Sequence, residues 1–251
     1  MSNLSAAFSK RKALITFITA GDPNLSMTEK LIYDLEKSGA DIIELGIPFS
    51  DPLADGPVIQ ASHQRALKND ISLADVFKLV AKVRKKTQIP ICFMLSYNLV
   101  LQYGVEKFYA QAAKDGVDGV IVPDLPPEET GDEGRGAGVD TIFLLAPTST
   151  DQRIELAARK SSGFIYLISV AGITGQREKL AKNLQPLISR VKDYAKLPVA
   201  IGFGISKPAQ AAEVARIADG VIVGSAIVDL IAKKKIPAVS KFVASLRKAI
   251  D

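Results

Sequence analysis

Apolar residues recur along this chain in short unbroken runs, separated by longer stretches in which they return every three or four positions. The runs are ALITFITA (13–20), DIIEL (41–45), PICFML (90–95), GVIVPD (119–124), TIFLLA (141–146), FIYLIS (164–169), PVAIGFG (198–204) and GVIVGS (220–225). Each is short, rich in β-branched residues and apolar on both alternating faces, as parallel strands covered by helices must be. The intervening stretches have helical spacing. Residues 27–40 place Leu31, Ile32 and Leu35 on one face, and residues 72–86 place Leu73, Val76, Phe77, Val80 and Val83 likewise. Residues 105–116 end on Gly116, a residue suited to the position just past a helix. Eight strand–helix units in one chain predict an α/β fold, a (β/α)8 TIM barrel spanning 1–251 as one domain. An open doubly wound sheet is the alternative, weakened because no GxGxxG follows the first run.

Two recurrent features refine this picture. An acidic residue after a glycine precedes several runs, in GADII, GVDGVIV and GVDTIF, with a related ADGVIV at the last. It reads as structural punctuation between helix and strand. The stretch TGDEGRGAG (130–138) carries four glycines where the helix between the fourth and fifth runs is expected. Glycine costs about 1 kcal/mol relative to alanine at each interior helix position, so this connection should be short or a loop.

Composition narrows the class. No apolar run reaches the ~18 residues of a membrane span, and the first residues, MSNLSAAFSKRK, lack the apolar core of a secretory signal. Cys92 is the sole cysteine and lies in an apolar run, so a core position and a reducing, cytoplasmic home are expected. His63 is the only histidine, which leaves a zinc site and a Ser-His-Asp triad poorly supported, and no metal is expected. The formal charge of +5 is scattered, apart from Lys233–Lys235, and no basic stripe interleaved with aromatics suggests nucleic acid.

The candidate chemistry starts at ELGIPFSDPLADGP (44–57). Pro48, Pro52 and Pro57 stiffen this loop. Glu44 comes straight out of an apolar run, where a carboxylate is costly without a use or a partner. Asp55 lies beyond the turn of the loop. Two carboxylates in different surroundings can have their pKa values pushed apart and serve acid and base steps. In the alternative, Glu44 pairs with a core cation and Asp55 caps the helix that begins near Pro57. After the seventh run come Gly202, Gly204 and Ser206, and after the eighth Gly224 and Ser225, followed by a short helical piece. Barrels commonly hold phosphate on these two loops, with backbone N–H groups and a helix N-terminus as donors. Gly172 and Gly175, after the sixth run, can close over such a ligand.

The segment 44–60 resembles the signature of tryptophan synthase α subunits. The similarity extends through FITAGDP (17–23), SYN (96–98), PDLPPEE (123–129), APTST (146–150), GFIYLIS (163–169), GITG (172–175), GFGIS (202–206) and GSAIV (224–228). The resemblance implies a (β/α)8 barrel that cleaves indole-3-glycerol phosphate to indole and glyceraldehyde 3-phosphate. It implies a β subunit as partner in an αββα heterotetramer, with pyridoxal phosphate in that partner and no cofactor in this chain. It puts Glu44 and Asp55 in the family's two catalytic carboxylate positions and a Tyr166 hydroxyl near Glu44. Phe17, Met94, Ile121 and Phe203 become the indole pocket, Gly175, Gly202, Gly204, Gly224 and Ser225 the phosphate site, and Thr174 part of a closing loop. The chain departs from the family pattern at Val170 and Ala171, where an arginine is usual, at Ser96, where a tyrosine is usual, and in the shortened 130–138 stretch. A self-sufficient lyase, a partner-activating subunit without useful catalysis, and another phosphosugar barrel such as an isomerase are the competing readings.

Overall fold

The computed structural model describes residues 2–52, 55–131, 136–168, 177–202 and 204–251, with the backbone alone over 177–183. In chain order the strands are β1 (Ala13–Thr19), β2 (Ile42–Gly46), β3 (Ile91–Met94), β4 (Gly119–Ile121), β5 (Asp140–Ile142), β6 (Leu144–Leu145), β7 (Ile165–Ile168), β8 (Val199–Gly202) and β9 (Gly220–Val223). The helices are α1 (Asn3–Ala7), α2 (Leu25–Lys37), α3 (Pro57–Leu67), α4 (Leu73–Val83), α5 (Tyr97–Tyr103), α6 (Val105–Asp115), α7 (Asp151–Lys160), α8 (Arg177–Tyr194), α9 (Pro208–Ile217), α10 (Ser225–Ala232) and α11 (Ile236–Ile250). All strand pairs are parallel, in the order β5-β4-β3-β2-β1-β9-β8-β7-β6. The fifth apolar run is divided at Phe143 into β5, which pairs with β4, and β6, which pairs with β7. The chain itself therefore bridges the two ends of the sheet, and the eight runs make a nearly closed barrel rather than an open sheet.

The two-residue alternation of each strand sorts side chains between two cores. Leu14, Ile18, Ile43, Leu45, Phe93, Leu167 and Val221 point outward against the amphipathic helices. Ile15, Phe17, Ile42, Cys92, Met94, Tyr166 and Ile222 fill the barrel interior. Glu44 stands between Ile43 and Leu45, so the same alternation turns it inward. The helices begin and end where local chemistry directs. Ser72 and Asp75 form a reciprocal capping box at α4, and Gly116 closes α6 in the left-handed conformation at φ 85°. No helix occurs between β4 and β5 among the described residues, as the glycines of 130–138 predict.

The floor of the barrel is set by the acidic punctuation. Asp41 accepts the Leu14 N–H at 2.8 Å, Asp118 the Ile91 N–H at 2.8 Å and Asp219 the Val199 N–H at 3.0 Å. Each carboxylate thus satisfies an N–H near the start of the preceding strand, the second of β1 and the first of β3 and β8. Each also meets cations: Arg11 and Arg247 at Asp41, Arg84 at Asp118, Lys192 at Asp219. Beneath them α1, too short to announce itself by periodicity, closes the barrel. Leu4 is fully buried in the interior cluster, and Phe8 lies with its ring centroid 5.5 Å from that of Phe164.

Replacing Asp118 by alanine strips Ile91 N–H, Arg84 and Asn3 of one shared acceptor and leaves the half-buried guanidinium unpaired. A loss of about 2–4 kcal/mol in urea unfolding is expected. Asp151→Ala, which removes an exposed pair with Arg190, should cost under ~1 kcal/mol in the same experiment.

Candidate active site

At the carboxyl ends of the strands lies a cavity of about 280 Å³ lined by Phe17, Glu44, Asp55, Ile59, Met94, Tyr166, Gly204, Ser206, Ile222, Gly224 and Ser225, among others. Segments far apart in sequence build it: β1, β2 and β3, α3 and its leading loop, β7, and the stretches that end β8 and β9. Glycines make the space. A Cβ on Gly46 would come within 2.5 Å of the Phe17 ring, so this glycine lets the ring lie across the strand end. A Cβ on Gly202 would come within 2.4 Å of the Tyr166 hydroxyl. Gly202 therefore makes room for the tyrosine and, unlike Gly204 and Gly224, is not part of the cavity wall.

Glu44 is 1% exposed, and its Oε2 has no hydrogen-bond partner among the described residues. Among the described residues no cation pairs with it, so no core ion pair of the kind the alternative requires is formed there. Burial, and secondarily the nearby Asp55 charge, push its pKa up to about 8. A carboxyl group with this environment is held protonated at neutral pH and can donate its proton. Tyr166 is buried beside it, its hydroxyl raised well above the usual value by burial and by Glu44 and Asp55. Cys92, the strand neighbour of Glu44 in β3, is a buried core thiol as the sequence predicts.

Asp55 does not cap α3. The cap position is Gly56, with no side-chain bond to the helix, and Pro57 begins the first turn. The backbone of Asp55 is held by its own N–H to Pro52 O at 3.1 Å and by Gln60 Nε2 donating to Asp55 O at 2.9 Å. Asp55 lines the cavity, and its carboxylate Oδ2 lies 3.3 Å from His63 Nε2. The helix carrying His63 is fastened to the β1 end by Arg65, which grips Asp22 through two bonds of 2.9 and 2.6 Å, and by Ser62 against Thr19 at 2.6 Å.

The two glycine loops differ at their helix starts. At α9 the Gln210 side chain accepts the N–H groups of Ser206 and Lys207, at 2.9 and 3.0 Å, which closes that terminus. At α10 no side chain caps the start. Gly224, Ser225 and Ala226 there line the cavity, so the terminal N–H groups and the Ser225 hydroxyl converge on it. A dianion at this end would meet donors and the positive end of the helix dipole.

Of the apolar residues expected around an aromatic ring, Phe17 and Met94 line the cavity. Ile121, the strand partner of Met94 in the β3–β4 pair, is fully buried in the interior cluster. Phe203, Thr174 and Gly175, with Val170 and Ala171, lie outside the described residues. Sequence reasoning passed over His63 as a lone histidine, and also Asp124. The latter accepts the Ser96 hydroxyl at 2.6 Å and the Tyr97 N–H at 2.9 Å and so anchors the start of α5 beside the site. Among the described residues no cluster of three or more His, Cys, Asp or Glu is arranged to hold a metal.

Known proteins share this arrangement along the whole chain. The family model described as tryptophan synthase alpha chain matches residues 4–249. The tryptophan synthase alpha chain of Geotalea uraniireducens is 52% identical over 238 residues, covering 92% of this chain and 89% of that protein. The crystal structure of tryptophan synthase subunit alpha from Legionella pneumophila superposes with a TM-score of 0.93 at 38% identity, covering 100% of this chain and 99% of that one. A structure titled as showing mutual activation in the tryptophan synthase α2β2 complex of Pyrococcus furiosus superposes with a TM-score of 0.88 at 40% identity, covering 94% of this chain and 98% of that one. Family model, relatives and solved structures thus match nearly from end to end, and this chain belongs to the tryptophan synthase alpha chain family.

Proposed function

We propose that Glu44 and Asp55 carry out the family's reaction in this chain, the cleavage of indole-3-glycerol phosphate to indole and glyceraldehyde 3-phosphate. The single observation that carries this assignment is the buried, unpartnered Glu44 carboxyl facing Asp55 across a cavity with an uncapped helix start at its far end. Protonated Glu44 gives its proton to indole C3, which makes the ring a leaving group. The positive charge that develops reaches the ring nitrogen, whose N–H is met by the Asp55 carboxylate. The bond from C3 to the hydroxyl-bearing carbon then breaks. Its electron pair restores the aromatic ring, and the hydroxyl proton returns to the Glu44 carboxylate as the aldehyde forms. Protons balance over the cycle, and Glu44 ends as it began.

The other groups serve binding. Phe17 and Met94 flank the indole, Tyr166 stands against Glu44, and Gly204, Gly224 and Ser225 hold the phosphate. Gly175 and Thr174 belong to the closing loop in this reading. The partner is a tryptophan synthase β subunit in an αββα assembly, which receives the indole. The loop from Pro48 to Pro57 then serves both catalysis and partner contact. No helix among the described residues is long and apolar enough to cross a membrane, and a cytoplasmic location accords with the biosynthetic role.

Glu44→Gln keeps the size of the side chain and cannot cycle a proton, so a loss of about 10²–10⁴-fold in kcat is expected, read by indole release. The raised pKa also ties folding to pH. Between about 4.5 and about 8 the folded state holds a proton on Glu44 that the unfolded chain has released, so stability from this group falls as pH rises through that window. Thermal melts of the Gln variant should therefore gain on the parent as pH rises from the lower limit to the upper, and cleavage by the parent should decline above about pH 8. An equal melting difference at both limits would remove the raised pKa from the account.

Ser225→Ala tests the phosphate end. The phosphate is remote from the bond broken, so losing one hydrogen bond of about 1 kcal/mol should raise KM about fivefold and leave kcat within about twofold. Equal losses in kcat would instead show that the phosphate grip aligns the reacting carbon.

Titration with a β subunit tests the shared loop. A docked partner restricts the 48–57 segment, so the competent arrangement of Asp55 becomes the main population and the cleavage rate rises on complex formation. A flat rate across a titration that does form complex would uncouple the loop from the interface.

A further inference from the structure

Asp55 sits in the wall between two cavities. One is the substrate cavity. The other, of about 150 Å³, is lined by Phe49, Asp51, Asp55, His63, Ser96 and Asp124 among others. His63 rises from α3 into this second space and is 4% exposed. Its Nδ1 accepts the backbone N–H of Phe49 at 3.0 Å. That bond settles the tautomer: a ring that accepts at Nδ1 carries its proton on Nε2. Nε2 is the atom 3.3 Å from Asp55 Oδ2, at an angle short of a formed hydrogen bond. Among the described residues it is the one side-chain donor that reaches the Asp55 carboxylate. The imidazole therefore spans the loop, held to Phe49 at its start and aimed at Asp55 at its end, from a helix pinned to the barrel by Arg65 and Ser62.

We propose that His63 is the positioning residue for Asp55: fixed in one tautomer by the Phe49 N–H, it directs Nε2–H to one carboxylate oxygen and so turns the other toward the indole N–H. This inference rests on the lyase reading of the site. It follows from the chemistry of a carboxylate that works by direction. Asp55 has to meet charge that appears on the ring nitrogen only in the transition state, and a carboxylate free to rotate would lose part of that stabilisation at each turnover. The contact tightens as the ring N–H draws the carboxylate into line, as catalytic hydrogen bonds commonly do. The other charged groups around the imidazole are accounted for. Asp51 and Asp124 line the far side of the same cavity, Asp124 engaged by Ser96 and Tyr97, and Arg65 is turned away to Asp22.

Two substitutions separate the roles of the two ring nitrogens. Asparagine places its amide near Nδ1, where it can still accept from Phe49, and cannot reach Asp55. Glutamine extends its amide to the Nε2 position and can still donate to Asp55. In the full-length chain with its β subunit, His63→Asn should lower kcat for indole-3-glycerol phosphate by about 10–100-fold with KM changed less than about threefold, and His63→Gln should recover most of the loss. In an Asp55→Asn background the His63→Asn substitution should add little, because the group it positions is already disabled. Thermal melts of both His63 variants report separately on folding. Unchanged kcat in His63→Asn, a full additive loss in the Asp55→Asn background, or a Gln variant as impaired as the Asn variant overturns the positioning role. A parent protein that does not cleave indole-3-glycerol phosphate at all overturns the lyase reading, and the inference with it; a parent that cleaves while indifferent to His63 overturns the inference alone.

Discussion

A closed ring of parallel strands forces every second side chain into a space with no water, and everything distinctive about this chain follows from which residues meet that constraint. Most positions answer it with Ile, Phe, Met or Cys. At Glu44 the alternation turns a carboxyl group inward between Ile43 and Leu45, where no cation offsets it. An ionised carboxylate would be costly there, so the group keeps its proton. The proton on Glu44 is thus held first by burial within the barrel and second by the nearby Asp55 charge. Asp55 sits on a proline-stiffened loop, its side chain 16% exposed. One strand position and one loop position thus bring two carboxyl groups to one cavity.

The barrel divides its labour along its axis. At the floor, Asp41, Asp118 and Asp219 each join an N–H near a strand's start to arginine or lysine side chains, and the gain is stability. At the rim the polar groups are left with spare capacity: Glu44 Oε2 without a partner, and the start of α10 without a cap. The contrast between α9 and α10 makes the point within one molecule. Gln210 closes the first terminus against its own helix, while the second presents its donors to the cavity. Hydrogen-bonding capacity turned toward a cavity at one end, and spent on strand N–H groups and cations by Asp41, Asp118 and Asp219 at the other, distinguishes a site from a scaffold.

Much of this was legible in the sequence, for identifiable reasons. The apolar runs and the helical spacing between them report burial directly, so the barrel and its element order could be read. The acidic residue before each run was recognisable as structural because its place repeats. Glu44 stood out because a carboxylate inside an apolar run is improbable without cause. What escaped was whatever depends on the path of a loop or on a neighbour far away in sequence. His63 meets Phe49 and Asp55 only because the 47–56 segment folds back over α3, and no spacing rule encodes that. That Gly202 also admits the Tyr166 ring from the adjacent strand is a second demand on that position which its place after an apolar run does not announce. The division of the fifth run at Phe143 was likewise invisible, since both halves are equally apolar.

The short N-terminal helix has a meaning beyond closing a gap. Leu4 packs in one interior cluster with Cys92, Ile121, Ile142 and Phe17, and Phe17 and Cys92 are the strand partners of Glu44. A Cβ on Gly119 would meet Leu4 within 2.5 Å, so plug and strand are in close register. The interior on that side of the acid is thus filled with apolar side chains. The proton affinity of Glu44, a property measured at one end of the molecule, is maintained partly by five helical residues sealing the other, and the seal works by keeping water out rather than by touching the acid.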